Sequence, residues 1–172
     1  MKYLASLLLF LVPLISTAQQ PSQKDTERMM RNIRHELVML PYYGVFDNLG
    51  YRLDGYVVTL AGQVTTPSLK SDAENVVKRI EGVEKVVNQI EVLPLSANDD
   101  GLRRAVYRAI YSFGSLESYS VRAVPPIHII ARNGNITLVG AVAHQADKDA
   151  AGICANGVSG VFSVTNDIVI EQ

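Results

Sequence analysis

The chain has 172 residues, 48% of them hydrophobic and 19% charged, and its 16 Lys+Arg against 17 Asp+Glu give a net charge of -1. That balance excludes the cationic excess that a phosphate-tracking nucleic-acid binder needs, and a single cysteine excludes an internal disulfide.

Residues 1–18 read as a secretory signal. Lys2 is followed by the apolar run Leu4 to Ile15 and by Ser16-Thr17-Ala18, so cleavage is expected near Ala18 and the mature protein is expected to be periplasmic or secreted. The run is short for a membrane-spanning helix, and no cysteine stands near the cleavage point to carry a lipid. Residues 19–25 follow as a linker.

A first unit is read over residues 26–95. Met30, Ile33, Leu37 and Leu40 recur at helical spacing from Thr26 to the stop at Pro41. Asp54-Gly55 is a two-residue hairpin turn that sets Leu53 opposite Tyr56, and alternation puts Leu49, Tyr51, Leu53, Tyr56, Val58, Leu60 and Val64 on one face. A second helix starts with Thr66 as N-cap and Pro67 at its first position, carries Leu69, Ala73, Val76, Val77 and Ile80 inward, and ends at Gly82. The unit closes on a strand with Val86, Asn88, Ile90 and Val92 turned to the core.

After a linker at 96–98, a second unit over residues 99–172 runs the same course. Asp99 or Asp100 caps a helix with Leu102, Val106, Ala109, Ile110 and Phe113 on its apolar stripe. Asn133-Gly134 turns a hairpin with Arg132 opposite Asn135 and Ile127, Ile129, Ala131, Ile136, Leu138 and Val142 inward. His144 stands where Thr66 stood, and the closing strand carries Val164, Asn166, Ile168 and Ile170.

The two units are copies. The shift that lays Gly62 on Gly140 also lays Val58–Val64 on Ile136–Val142 and Glu81–Ile90 on Ser159–Ile168 without a gap. The fold class is therefore α+β, two tandem α-β-β-α-β units, each a three-stranded sheet with two helices on one face. The other sheet face stays open, and in the second unit it presents His128, Ile130, Arg132, Thr137 and Val139.

A Val-Thr-Leu-x-Gly-x-Val strand, a helix with Lys70 and Ala73, and then Gly82-Val83, Val86, Asn88 and Ile90 resemble the BON domain. Ile136 to Val142, Lys148, Ala151, Gly160-Val161, Val164, Asn166 and Ile168 repeat the pattern. The resemblance covers roughly residues 26 to 172. It implies exported envelope proteins, linked to osmotic stress, envelope integrity and anionic-phospholipid binding, with no shared catalytic site.

The residues themselves offer no enzyme chemistry. No Ser-His-Asp order or nucleotide loop is present, and His35, His128 and His144 lack metal-ligand spacing, so no cofactor or metal is expected. Gly157-Val158-Ser159-Gly160 spells an RNA-clamping loop but coincides with a helix end. Asn88 and Asn166 on the core side call for hydrogen bonds to nearby backbone, and Cys154 falls on a helix stripe as a small hydrophobe.

The candidate ligand-binding residues are Arg103, Arg104, Tyr107, Arg108 and His128. Arginines mixed with tyrosine suit phosphate headgroups. A solvated face or packing between the units would explain the same residues, and His128 would serve as well in a contact between units. The expected partner is anionic phospholipid or an envelope protein, with peripheral membrane contact. The alternative is a soluble periplasmic chaperone or protein-interaction module using apolar patches around Ile130 and Val139.

Overall fold

In the computed structural model, which describes residues 21–171, both units follow the expected order; the expected signal segment lies outside the described residues. Unit one comprises α1 (Gln23–Val38), β1 (Asn48–Asp54), β2 (Val57–Val64), α2 (Pro67–Val77), β3 (Lys85–Asn88) and β4 (Glu91–Val92). Unit two comprises α3 (Ala97–Tyr111), a 3-10 helix (Gly114–Val121), β5 (Ile127–Arg132), β6 (Asn135–Val142), α4 (Gln145–Asn156) and β7 (Ser163–Ile170). The 3-10 helix has no counterpart in unit one and was not read from the sequence.

The middle strand of each sheet is the second in the chain, antiparallel to the first and parallel to the last. Equivalent residues hold equivalent places. Tyr51 faces Leu60 and Ile129 faces Leu138, while Lys85 pairs with Val57 and Ser163 with Asn135. The cores are separate, one around Ile33, Leu60, Leu69 and Ile90, the other around Val106, Ile129, Leu138 and Ile168.

Several local readings are corrected. Ser22 accepts the Asp25 amide at 3.2 Å, so α1 begins inside the stretch read as a linker, and Met29 (1% exposed) rather than Met30 (43%) joins the core. The first hairpin turns on Gly55-Tyr56, with Leu53 opposite Val58. Gly55 alone takes a positive φ there, +59°, as a type II′ turn requires, whereas Asn133 (52°) and Gly134 (80°) both do, as type I′ requires. The slip is by two residues, so the inward face survives. α2 ends at Val77, before Gly82, and Phe113 is 48% exposed instead of joining the stripe. The last strand of unit one is interrupted at Gln89-Ile90, yet the Gln89 and Leu93 amides still donate to Leu60 and Val64 of β2.

Two shared devices hold each unit. Gly62 (φ +117°) and Gly140 (φ +128°) bend the central strand where a Cβ would lie 2.0 Å from the Asn48 carbonyl oxygen and 1.8 Å from that of Pro126. Only glycine fits there. Asn88 donates to the Lys70 carbonyl at 3.0 Å and accepts the Ile90 amide at 3.1 Å, stitching α2 to the closing strand. Asn166 does the same with Lys148 at 2.8 Å and Ile168 at 3.4 Å. In unit one Glu74 also accepts from Asn88 at 2.9 Å; in unit two that place is Gly152, whose Cβ would crowd Asn166 at 2.8 Å.

Gly62→Ala and Gly140→Ala should each cost more than about 3 kcal/mol, since the carbonyl must move or the strand must break. Denaturant titration measures this, and a loss below 1 kcal/mol for either contradicts the steric argument. Asn88→Ala should cost about 1–3 kcal/mol by orphaning the Ile90 amide and cutting the tie to the Lys70 carbonyl of α2; an unchanged melting temperature contradicts it.

Candidate functional site

The candidate residues lie on or beside α3, whose first turn is fixed by Ser96 accepting the Asp99 amide at 3.1 Å. Every fourth residue from there points at β5. Asp99 accepts the Gly134 and Asn133 amides, each at 2.9 Å, and so holds the hairpin turn. Arg103 donates to the Ala131 carbonyl at 2.8 Å and pairs with Asp100. Tyr107 packs edge-on against Phe46 of unit one, centroids 6.2 Å apart, and against Tyr111 at 4.8 Å. Tyr111 donates to the Ile127 carbonyl at 2.8 Å while accepting the Ile127 amide at 3.1 Å.

This face of the helix closes the outer edge of β5. Of the other outward groups, the Ile129 amide donates to the Val45 carbonyl at 2.8 Å. Val45 and Phe46 belong to the stretch between α1 and β1, which reaches over to pack on the core of unit two. Asp47, 2% exposed, shapes that stretch: it accepts the Gly44 amide at 3.1 Å, the Thr65 amide at 2.7 Å and the Thr65 hydroxyl at 2.8 Å. The sequence reading missed Asp47 and this crossing; the only signal was the apolar Tyr42-Tyr43-Gly44-Val45-Phe46 run after Pro41, where a polar loop is usual.

The five predicted residues therefore part company. Arg103 is 4% exposed and serves the hairpin, and Tyr107 is half-buried between the units. His128 lies under Tyr43, ring centroids 5.6 Å apart, with its Nδ1 unpaired among the described residues. Burial pulls its imidazole below the ordinary histidine range against the opposing pull of the Asp47 and Gly44 backbone and the Asp47 carboxylate, and it pushes the Tyr43 hydroxyl up to about 12. Arg104 and Arg108 stay exposed, one helical turn apart, with no ion-pair partner among the described residues.

The apolar patch expected around Ile130 is not an exposed one. Ile130 is 5% exposed and, with Arg132 and Thr137, lines a cleft of about 480 Å³ against Gln63, Glu91 and Leu93 of unit one. Arg132 and Glu91 bridge its mouth at 2.7 Å, an exposed pair worth little by itself. Among the described residues, no cluster of three His, Cys, Asp or Glu is placed to hold a metal, and no helix is long and apolar enough to cross a membrane. Cys154 is half-buried against the core of unit two, and burial raises its thiol pKa.

The sequence pattern described as the BON domain matches residues 53–94 and 98–172. The chain belongs to the BON domain family. It is 30% identical over 112 residues to the outer membrane lipoprotein DolP of Haemophilus influenzae, a match spanning 62% of this chain and 54%, about half, of that protein's length. Two solved structures of CdsD, a structural protein of the type III secretion system of Chlamydia trachomatis, superpose with a TM-score of 0.30 at 13% identity, over 84% of this chain and 92% or 98% of theirs. The first BON match begins at Leu53, so α1 and most of β1 precede it, whereas the second takes in α3 almost entirely.

Within the second BON unit, Asp99 gives a pH signature. Burial alone would raise its carboxyl pKa, but the Gly134 and Asn133 amides, the Ser96 side chain and Arg103 outweigh burial and hold it below the usual carboxylate range. Its stabilising contribution is thus complete above the unfolded carboxylate value of about 3.9 and is lost as pH falls through the lower folded value. Asp99→Asn should cost about 1–3 kcal/mol at neutral pH, and the gap to wild type should shrink on acidification. Melting temperatures followed down to about pH 2 test this; a gap that stays constant counts against the assignment.

Proposed function

We propose that this protein is a non-enzymatic component of the bacterial envelope that binds anionic phospholipid peripherally through Arg104 and Arg108 of α3, supporting envelope integrity under osmotic stress. The observation that carries the reading is the pair of exposed guanidinium groups one helical turn apart on α3, neither of them in an ion pair among the described residues. A guanidinium matches two phosphate oxygens at once, and each cation beside an anionic leaflet contributes about 1 kcal/mol. Phe113, 48% exposed just beyond the end of α3, supplies an apolar ring for the headgroup region. Family membership and the likeness to an outer membrane lipoprotein support an envelope setting. Arg103, Tyr107 and His128 act in this reading by holding α3 and β5 in place.

Vesicle sedimentation tests it. The mature protein should bind phosphatidylglycerol vesicles in preference to phosphatidylcholine, less so at high salt, and Arg104→Glu with Arg108→Glu should weaken binding by at least about thirtyfold, two cations' worth. Arg103→Ala should instead lower the melting temperature. Equal binding by the wild type and the double variant would remove α3 as the contact surface.

A further inference from the structure

The two first helices differ in what they do for the strand beside them. In unit two, α3 and Val45 close the outer edge of β5 at Ile127, Ile129 and Ala131. Sheet register makes Leu49, Tyr51 and Leu53 of β1 their counterparts, and an outward group of β5 thus has an outward counterpart in β1. Among the described residues, no hydrogen bond from outside the hairpin reaches the backbone of Tyr51 or Leu53.

The every-fourth-residue face of α1 that turns toward β1 is Thr26, Met30, Arg34 and Val38, where α3 has Asp99, Arg103, Tyr107 and Tyr111. It caps none of that edge. Met30 and Val38 remain 43% and 51% exposed, and a groove of about 520 Å³ opens between α1 and β1. Its floor is apolar, from Met30, Val38, Leu49 and Leu53, and its rim carries Arg34 and Arg52, which have no ion-pair partner among the described residues.

We propose that this groove binds an extended peptide strand of a partner protein, added to the edge of β1, with apolar side chains on the groove floor and carboxylates on Arg34 and Arg52. The matching edge of unit two already takes one main-chain hydrogen bond from a distant stretch of the chain, the Ile129 amide donating to the carbonyl of Val45 in the Gly44–Asp47 turn. Strand addition draws its affinity from main-chain hydrogen bonds and its selectivity from alternate side chains, and here the charge on the rim selects acidic partners. The site belongs to unit one and does not depend on the lipid surface proposed for α3.

The test uses the full mature chain and two acetylated peptides of about seven residues, one alternating Val with Glu and the other Val with Lys. Backbone amide NMR with hydrogen exchange should show the Glu peptide shifting and protecting the Tyr51 and Leu53 amides. The Lys peptide should bind at least about tenfold more weakly, the effect of a few rim charges. Arg34→Glu with Arg52→Glu, a surface exchange that leaves the core intact, should reverse that preference. Tyr51→Pro, which deletes a donor, should abolish binding of both peptides where circular dichroism shows the fold retained. The proposal is overturned if the two peptides bind alike, if the shifts fall on the outer edge of β7, if phosphatidylglycerol vesicles rather than peptide protect the β1 amides, or if the protein alone protects them through self-association.

Discussion

Closure of the β5 edge by α3 is the interaction on which the arrangement of the molecule turns. An uncovered strand edge invites pairing with any extended chain. Here four residues at one-turn intervals, Asp99, Arg103, Tyr107 and Tyr111, run alongside β5, and three of them bind its backbone or its turn. An outward amide that they leave, at Ile129, is taken by Val45. That single hydrogen bond draws the stretch between α1 and β1 across the divide, where Phe46 meets Tyr107 and Tyr43 covers His128. The placement of the two units thus follows from how a strand edge is satisfied.

The duplication separates what the fold demands from what each copy is free to change. Gly62 and Gly140 share a positive φ and the same collision with a carbonyl, and Asn88 and Asn166 make the same pair of backbone bonds. These are demands of an α-β-β-α-β unit, met twice. The face of the first helix differs completely between copies, polar and aromatic at the β5 edge but Met30, Arg34 and Val38 beside β1. Function in a duplicated chain is best sought at such unmatched positions.

Much of the fold was legible because two physical signals repeat in the chain: helical and strand periodicity of apolar residues, and glycine or asparagine where the backbone needs them. Asn133-Gly134 located its turn correctly, since both residues adopt positive φ, whereas Asp54-Gly55 misplaced its turn because glycine alone is needed at a type II′ position. The candidate site was legible only as a helix. Periodicity set Arg103 and Tyr107 away from or flanking the apolar stripe and left a headgroup surface, a solvated face and packing between the units open. A guanidinium with a backbone carbonyl and a carboxylate in reach can be buried, and a local pattern cannot reveal a carbonyl 28 residues away. The crossing of residues 43–47 was hidden for the same reason: Asp47 reads as an ordinary loop acid until Thr65 is brought beside it.

The Val45-Phe46 crossing also means that the copies have ceased to be interchangeable beads on a string. The second bead borrows part of its wall from the first, and a severed C-terminal half would emerge with Ile129 unpaired and His128 bare. During synthesis the lender is made before the borrower, so the growing chain always has the missing piece in hand. A gene rearranged to place the halves in the opposite order would lose that provision.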